Sequence, residues 1–265
     1  SPYVSDHRVD DAIVFPGAAH IMMVMAASRH FFPHKNVFLS NLKFESALIV
    51  PESKGSYLNV QVEMFNNDGS YQICTKNITA DEDNNWKRHS RGKIIATKDE
   101  FIPHLTDSLD ALRKEFLEEG TIVMDTEKFY DQIRRAGLYY GPTFQCIKEL
   151  YYKDGAALAK IELSKDLIYE ANRYDVHPTV YDAHLQVSFA TQHMEGDINI
   201  VYLPDHIERL RLHDVAGTEV CWAYMRNTKL DENWLCSDHL LFNDKGELLS
   251  ELVGMNAKAV PRNND

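Results

Sequence analysis

The sequence predicts an α+β fold built as two similar halves, each a buried helix wrapped by an antiparallel sheet. Three observations carry this expectation. Residues 18–32 and 179–192 are largely apolar and free of Gly and Pro, as expected of helices enclosed on most sides. Each is accompanied by runs of strand character separated by turn signals. The order of elements recurs, although no sequence identity links the halves. A sheet folded around a helix hides nearly all of the helix surface, and two such units side by side would make one long sheet carrying two central helices.

The elements follow in chain order. Pro16-Gly17 ends a loop, and proline suits a helix's first turn, where its missing N–H costs nothing. The helix 18–32 comes next. Residues 37–50 form an extended region, and 57–65 alternate Leu58, Val60, Val62 and Met64 on one face. The turn at 66–70 contains Asp-Gly, which readily takes positive φ. Residues 71–79, a turn at 81–85 and residues 86–97 complete a meander. Residues 98–124 are charged, contain Pro103 and Gly120, and read as a linker with a helix inside 108–120. A short helix over 125–137 is capped by Asp125 or Thr126 and ended by Gly137. Residues 144–152 and 156–163 form a hairpin, followed by the second central helix, 179–192. Strands at 200–213, 218–226, 234–242 and 247–260 close the second half, with a tight turn at 243–246. The expected units are 1–105, a linker 106–124, and 125–265, acting as one functional domain of 265 residues.

Composition narrows the function. Hydrophobic residues make up 44% and charged residues 26%, enough to bury a sizeable core. The net charge of −12 leaves no basic excess to neutralise phosphates, which argues against nucleic-acid binding. Cys74, Cys146, Cys221 and Cys236 form no CxxC and are expected as reduced thiols. The apolar run 13–27 is broken by Pro16, Gly17 and His20 and is too short to span a bilayer. No signal peptide is visible, so a soluble, cytoplasmic protein is expected. His20, His30, His34, His184 and His193 show no metal-binding spacing, and no metal is expected.

The chemistry concentrates at the starts of the two central helices. His7 precedes the first, and Asp182 lies near the start of the second. Gln186, four residues on, shares Asp182's helix face. His177-Pro178 would fix how the chain enters that helix. With the helices side by side, His7 and Asp182 would face each other across the seam between halves. A base and an acid so placed are the minimum for removing a proton and expelling a hydroxyl.

These residues sit in recognisable patterns. His7, Asp11 and Pro16 stand in the positions of H-x3-G-x4-P, with Asp11 in the glycine position. His177, Pro178, Asp182 and Gln186 make H-P-x3-D-x3-Q intact. Gly137 to Phe144, GLYYGPTF, follows G-Y-x-Y-G-P-x-F with Leu138 for the first tyrosine, and YLPDHIERLRLH supplies a fourth motif. The chain thus resembles the dehydratase domains of modular polyketide synthases, which have the double-hotdog fold. That family usually carries a further hairpin ahead of the position that His7 occupies.

The resemblance implies loss of water from a (3R)-hydroxyacyl thioester on an acyl carrier protein, giving a trans-2-enoyl thioester. His7 would take the α-proton, Asp182 would donate to the departing hydroxyl, and Gln186 would hold Asp182. The Gly17 N–H, at a helix N-terminus, is placed to receive the charge that develops on the thioester oxygen. Pro16, Tyr140, Phe144, His177 and Pro178 complete the expected substrate-binding set, Tyr140 and Phe144 being core residues first. No cofactor of its own is implied beyond the carrier's phosphopantetheine. The other synthase domains and a second copy of the chain are the further partners implied. Arg134 and Arg135, or the basic run 87–93, would dock the carrier. Three alternatives stand beside this reading. They are a double-bond isomerase, a hotdog thioesterase, and a scaffold in which Asp11, facing His7, holds the imidazole charged and disables it.

Overall fold

The computed structural model describes residues 2–33, 35–52, 57–77, 85–98, 105–118, 120–192 and 200–261. The turn expected at 81–85 lies almost wholly outside these, as do Pro103, His34 and His193.

The strands are β1 His7–Val9, β2 Ala12–Ile13, β3 Asn36–Phe44, β4 Leu58–Met64, β5 Ser70–Asn77, β6 Lys87–Thr97 and β7 Ile122–Val123. They continue as β8 Leu138–Tyr140, β9 Ile147–Lys153, β10 Ala156–Glu162, β11 Ile200–Leu212, β12 Val220–Leu230, β13 Trp234–Asn243 and β14 Leu248–Pro261. The helices are α1 Gly17–Phe31, α2 Leu109–Phe116, α3 Thr126–Arg135 and α4 Pro178–Gln186. Eleven strands form one antiparallel sheet in the order β4-β5-β6-β3-β11-β14-β13-β12-β10-β9-β7.

The halves join where β3 pairs with β11, in a register that sets Leu39 opposite Leu210 and Leu42 opposite Ile207. All four side chains are buried, so the seam is dry and the sheet runs through it unbroken. Helices α1 and α4 pack against each other across this seam. All nine residues of α4 are buried, which accounts for its lack of a polar face. The helix read over 179–192 tightens after Gln186 into a 3-10 turn, Val187–Thr191. There the Ser188 and Thr191 hydroxyls donate to the Leu185 and Ser188 carbonyls, offering the backbone an alternative to α-helical bonds.

Two features go beyond the expected plan. First, α2 packs on the outer face of the second half-sheet rather than merely bridging the halves. Along β12 the side chains alternate: Cys221, Ala223 and Met225 face the helix core, while Trp222 and Tyr224 join Leu105, Leu109, Leu112 and Phe116 in a second cluster. The Arg113 guanidinium lies 4.3 Å from the Trp222 ring centre. Second, residues read as a loop before Pro16 form a hairpin, β1–β2. It pairs with β8 as a separate three-stranded sheet, setting His7 opposite Tyr140.

Candidate active site

The pairing of β1 with β8 is what holds His7 in place. Gly141 N–H donates to the Asp6 carbonyl at 2.7 Å, and the Asp6 carboxylate accepts from Thr143 N–H at 3.1 Å and Thr143 Oγ1 at 2.7 Å. A Cβ at Gly141 would lie 2.5 Å from Asp6 Cγ. Gly141-Pro142-Thr143 is therefore a clasp for the residue before His7, and Gly141 is needed for close approach. Gly141→Ala should displace Asp6, shift His7, and lower turnover by at least tenfold while α1 and α4 stay packed. Kinetics alongside a thermal melt would check this, and unchanged turnover would contradict it.

The His7 ring lies against Tyr140 and Phe144, with centroids 5.4 and 5.1 Å away. Its Nδ1 is 2.8 Å from the Val14 carbonyl. A carbonyl only accepts, so Nδ1 carries the hydrogen and the neutral ring leaves its lone pair on Nε2. Nε2 points at Asp182 Oδ1, 3.9 Å away. That is too long for a hydrogen bond, and it leaves the two groups side by side.

Asp182 is buried on α4. Burial pushes its carboxyl pKa above the ordinary value, opposed by His7 and by the Gln186 amide. Gln186 Nε2 donates to Asp182 Oδ2 at 2.8 Å and to the Phe144 carbonyl at 3.3 Å. Tyr130 of α3 completes this chain. Its hydroxyl accepts from Ile147 N–H at 3.1 Å and donates to Gln186 Oε1 at 3.2 Å. With Oε1 so engaged, the amide must present its N–H groups to Asp182. Nothing in the sequence marked Tyr130, because it sits in an ordinary amphipathic helix. Tyr130→Phe should lower kcat about threefold to tenfold with little change in KM, the scale of one hydrogen bond. Steady-state kinetics would show it.

His7, Asp182, Gln186, Gly17 and Tyr140 line one cavity of about 570 Å³. Leu138, standing where the motif has tyrosine, lines it too, with Phe15, Phe44, Leu185, Phe189 and Met255 adding apolar wall. Leu203, Pro204 and Asp205 of the fourth motif also line it, at a register shift in the β11–β14 ladder. Proline cannot donate to a ladder. Gly17 opens α1, and a Cβ there would come within 3.1 Å of the Phe44 ring.

Four residues expected to bind substrate do not line this cavity. Pro16 is the residue before α1, and its carbonyl accepts from Ala19 and His20 N–H. Phe144 is fully buried behind the His7 ring. His177 caps α4: Thr179 N–H donates to its Nδ1 at 3.2 Å, while Nε2 faces the buried Glu170 at 3.4 Å. Burial holds its pKa below the ordinary value against the pull of Glu170. Pro178 is the buried first residue of α4. These four shape the site from behind.

Asp11 is exposed at the tip of the β1–β2 hairpin, and the Arg8 guanidinium holds its backbone carbonyl at 2.9 Å. The backbone strain lies instead at Asp10, whose φ is 50°. Arg134 and Arg135 are exposed on α3 and both pair with Asp131. Arg134, with Arg8 and Lys128, lines a second groove of about 700 Å³, and Tyr140 lines both this groove and the cavity. Among the described residues no three His, Cys, Asp or Glu side chains gather as a metal site. No described helix is long and apolar enough to cross a membrane.

Comparison with known proteins agrees with this geometry. The family described as "Polyketide synthase dehydratase N-terminal domain" matches residues 108–265, and "Polyketide synthase dehydratase domain" matches residues 1–76. The chain is 24% identical to the highly reducing polyketide synthase phiA of a fungal species over 93% of its length, and 24% identical to PksN of Bacillus subtilis over 97%. It spans only 11% and 5% of those two proteins. Among solved structures, a CurK dehydratase described as an inactive histidine-to-phenylalanine mutant is 27% identical, with a TM-score of 0.80 over 98% of this chain and 88% of that one. The CurK aspartate-to-asparagine mutant, also described as inactive, is 26% identical, with a TM-score of 0.78 over the same shares. The CurJ dehydratase, 22% identical with a TM-score of 0.81 over those shares, has the same fold. With its double-hotdog architecture and a histidine and an aspartate meeting across the seam, the chain belongs to the polyketide synthase dehydratase family.

Proposed function

We propose that the chain removes water from a 3-hydroxyacyl thioester carried on the phosphopantetheine of an acyl carrier protein, with His7 as base and Asp182 as acid. The observation that carries this reading is the 3.9 Å separation of His7 Nε2 and Asp182 Oδ1 inside one mostly apolar cavity. His7 Nε2 takes the proton from C2, and the released electron pair forms the C2–C3 double bond. The C3–O bond breaks as Asp182 gives its proton to the hydroxyl, which leaves as water. Return of the proton from His7 to Asp182 resets the site. The step changes no oxidation state, so it requires no redox cofactor. The Gly17 N–H, at the N-terminus of α1, stabilises the thioester oxygen as charge develops. The aspartate must start protonated, which its burial favours.

The descriptions of the two inactive CurK variants support these assignments, since a histidine and an aspartate are the residues changed. The exposed position of Asp11 removes the reason for reading the chain as a disabled scaffold. The test is incubation with a 3-hydroxyacyl thioester, with product mass as the readout. Loss of one water is expected. Migration of a double bond without that loss would mark an isomerase, and a released acid would mark a thioesterase.

The chain would act in the cytoplasm as one domain of a larger synthase, as a homodimer. The groove lined by Arg8, Lys128 and Arg134, with Asp6, Glu127 and Asp131 beside them, would receive the carrier. Reversing both charges with Arg134→Glu and Arg135→Glu should lower kcat/KM for carrier-bound substrate about tenfold and leave a small thioester mimic unaffected. Equal loss on both substrates would sink the docking site.

A further inference from the structure

One buried carboxyl in the fold has no part in the elimination. Glu170 is 4% exposed, in the 3-10 helix Lys165–Arg173 ahead of α4. A carboxyl is costly to bury, and packing alone would be served as well by an apolar side chain. Its Oε1 lies 3.4 Å from Nε2 of the fully buried His177.

His177 carries the whole first turn of α4. Pro178 has no N–H. Thr179 N–H donates to His177 Nδ1 at 3.2 Å, and Val180 and Tyr181 N–H both donate to the His177 carbonyl at 3.0 Å. The next N–H along the helix is that of Asp182. The His177 ring is neutral near pH 7, because burial holds its pKa below the ordinary value, so one nitrogen alone carries hydrogen. Nδ1 accepts from Thr179, which puts that hydrogen on Nε2, where Glu170 accepts it. With the hydrogen on Nδ1 instead, two N–H groups would face each other and the cap would be lost.

The same ring touches the segment that carries the base. Tyr3, four residues before His7, meets it edge-on with centroids 5.0 Å apart, and packs on Phe144 at 6.1 Å. Phe144 in turn backs the His7 ring. The helix of the acid and the strand of the base therefore share the His177 ring as a support.

We propose that Glu170 is a positioning residue for the dehydration, selecting the His177 tautomer that caps α4 and so holding Asp182 against His7. This rests on the dehydratase reading for the reaction. Glu170 does not line the cavity, so it acts through His177 and not on the substrate. A small displacement of a reacting group costs far more in rate than in binding.

The test combines steady-state kinetics on a 3-hydroxyacyl N-acetylcysteamine thioester with nitrogen NMR of the imidazoles, the His177 signals being assigned by their loss in His177→Asn. In wild type the hydrogen is expected on Nε2. Glu170→Met, which fills the space without a strong acceptor, should lose that pure signature. It should also lower kcat about tenfold, the scale of one hydrogen bond, with little change in KM. Glu170→Gln, whose amide oxygen still accepts from Nε2–H, should restore both. A wild-type ring with hydrogen on Nδ1, a wild-type kcat in Glu170→Met, or an equal loss in the Met and Gln variants would overturn the proposal. If Glu170→Met fails to fold, the wild-type spectrum and the kcat of Glu170→Gln decide. If wild type dehydrates no thioester, the dehydratase reading fails, and the ring signature in the three proteins then judges Glu170 by itself.

Discussion

His7→Phe is expected to reduce dehydration of a 3-hydroxyacyl thioester by about 10²–10⁴-fold, the contribution typical of a positioned general base, and to leave the fold intact. The phenyl ring fits because the imidazole already lies among aromatic neighbours, Tyr140 and Phe144. The losses are the bond from Nδ1 to the Val14 carbonyl and the Nε2 lone pair. The first is one hydrogen bond, worth about 1 kcal/mol and a few degrees of melting temperature. The second is the base itself. Turnover by mass spectrometry and a melt on the same sample separate them. Residual activity above a tenth of wild type, with the melt unchanged, would remove His7 from the chemistry.

Asp182→Asn is expected to abolish turnover to a similar extent while making the protein more stable at neutral pH. Burial raises the carboxyl pKa in the folded state above its unfolded value. The folded protein therefore binds the proton more tightly, and stability falls as pH rises from the ordinary carboxylate value toward the raised one. Below about pH 4 both states are protonated and the cost vanishes. Asparagine never ionises, and its carbonyl can still accept from Gln186 Nε2. The variant should match wild-type melting temperature in acid and exceed it at pH 7. Melts across that range check it; a variant less stable than wild type at pH 7 would show that the charged form of Asp182 is favoured in the fold. The same shift sets the alkaline limb of turnover, which should fall as Asp182 loses its proton. A base and an acid kept apart by their surroundings are thus stored at a cost to stability, as is common at reactive sites.

The two central helices were legible because a helix apolar on all sides has few ways to be buried. The His7–Asp182 pair was legible through motif spacing, since each residue sits at a fixed offset from a central helix. What escaped depended on contacts between distant segments. Strands β1 and β8 have three residues each, too few to show a period. The Gly141 clasp needs Asp6 above it, and Tyr130 needs Gln186 beneath it. His177-Pro178 was legible as the entry to α4, but not the side-chain cap that His177 makes there, because histidine is not among the favoured helix caps. The packing of α2 did leave a trace. Residues 221–225 are continuously apolar, the pattern of a strand covered on both faces.

The most direct test of the site is the structure of Asp182→Asn with a 3-hydroxyacyl thioester bound. The expected result places C2 about 3–3.5 Å from His7 Nε2, with the 3-hydroxyl within hydrogen-bond reach of residue 182 and the thioester oxygen at the Gly17 N–H. A thioester bound in the cavity with its C2–C3 bond away from His7 and residue 182 would contradict the assignment.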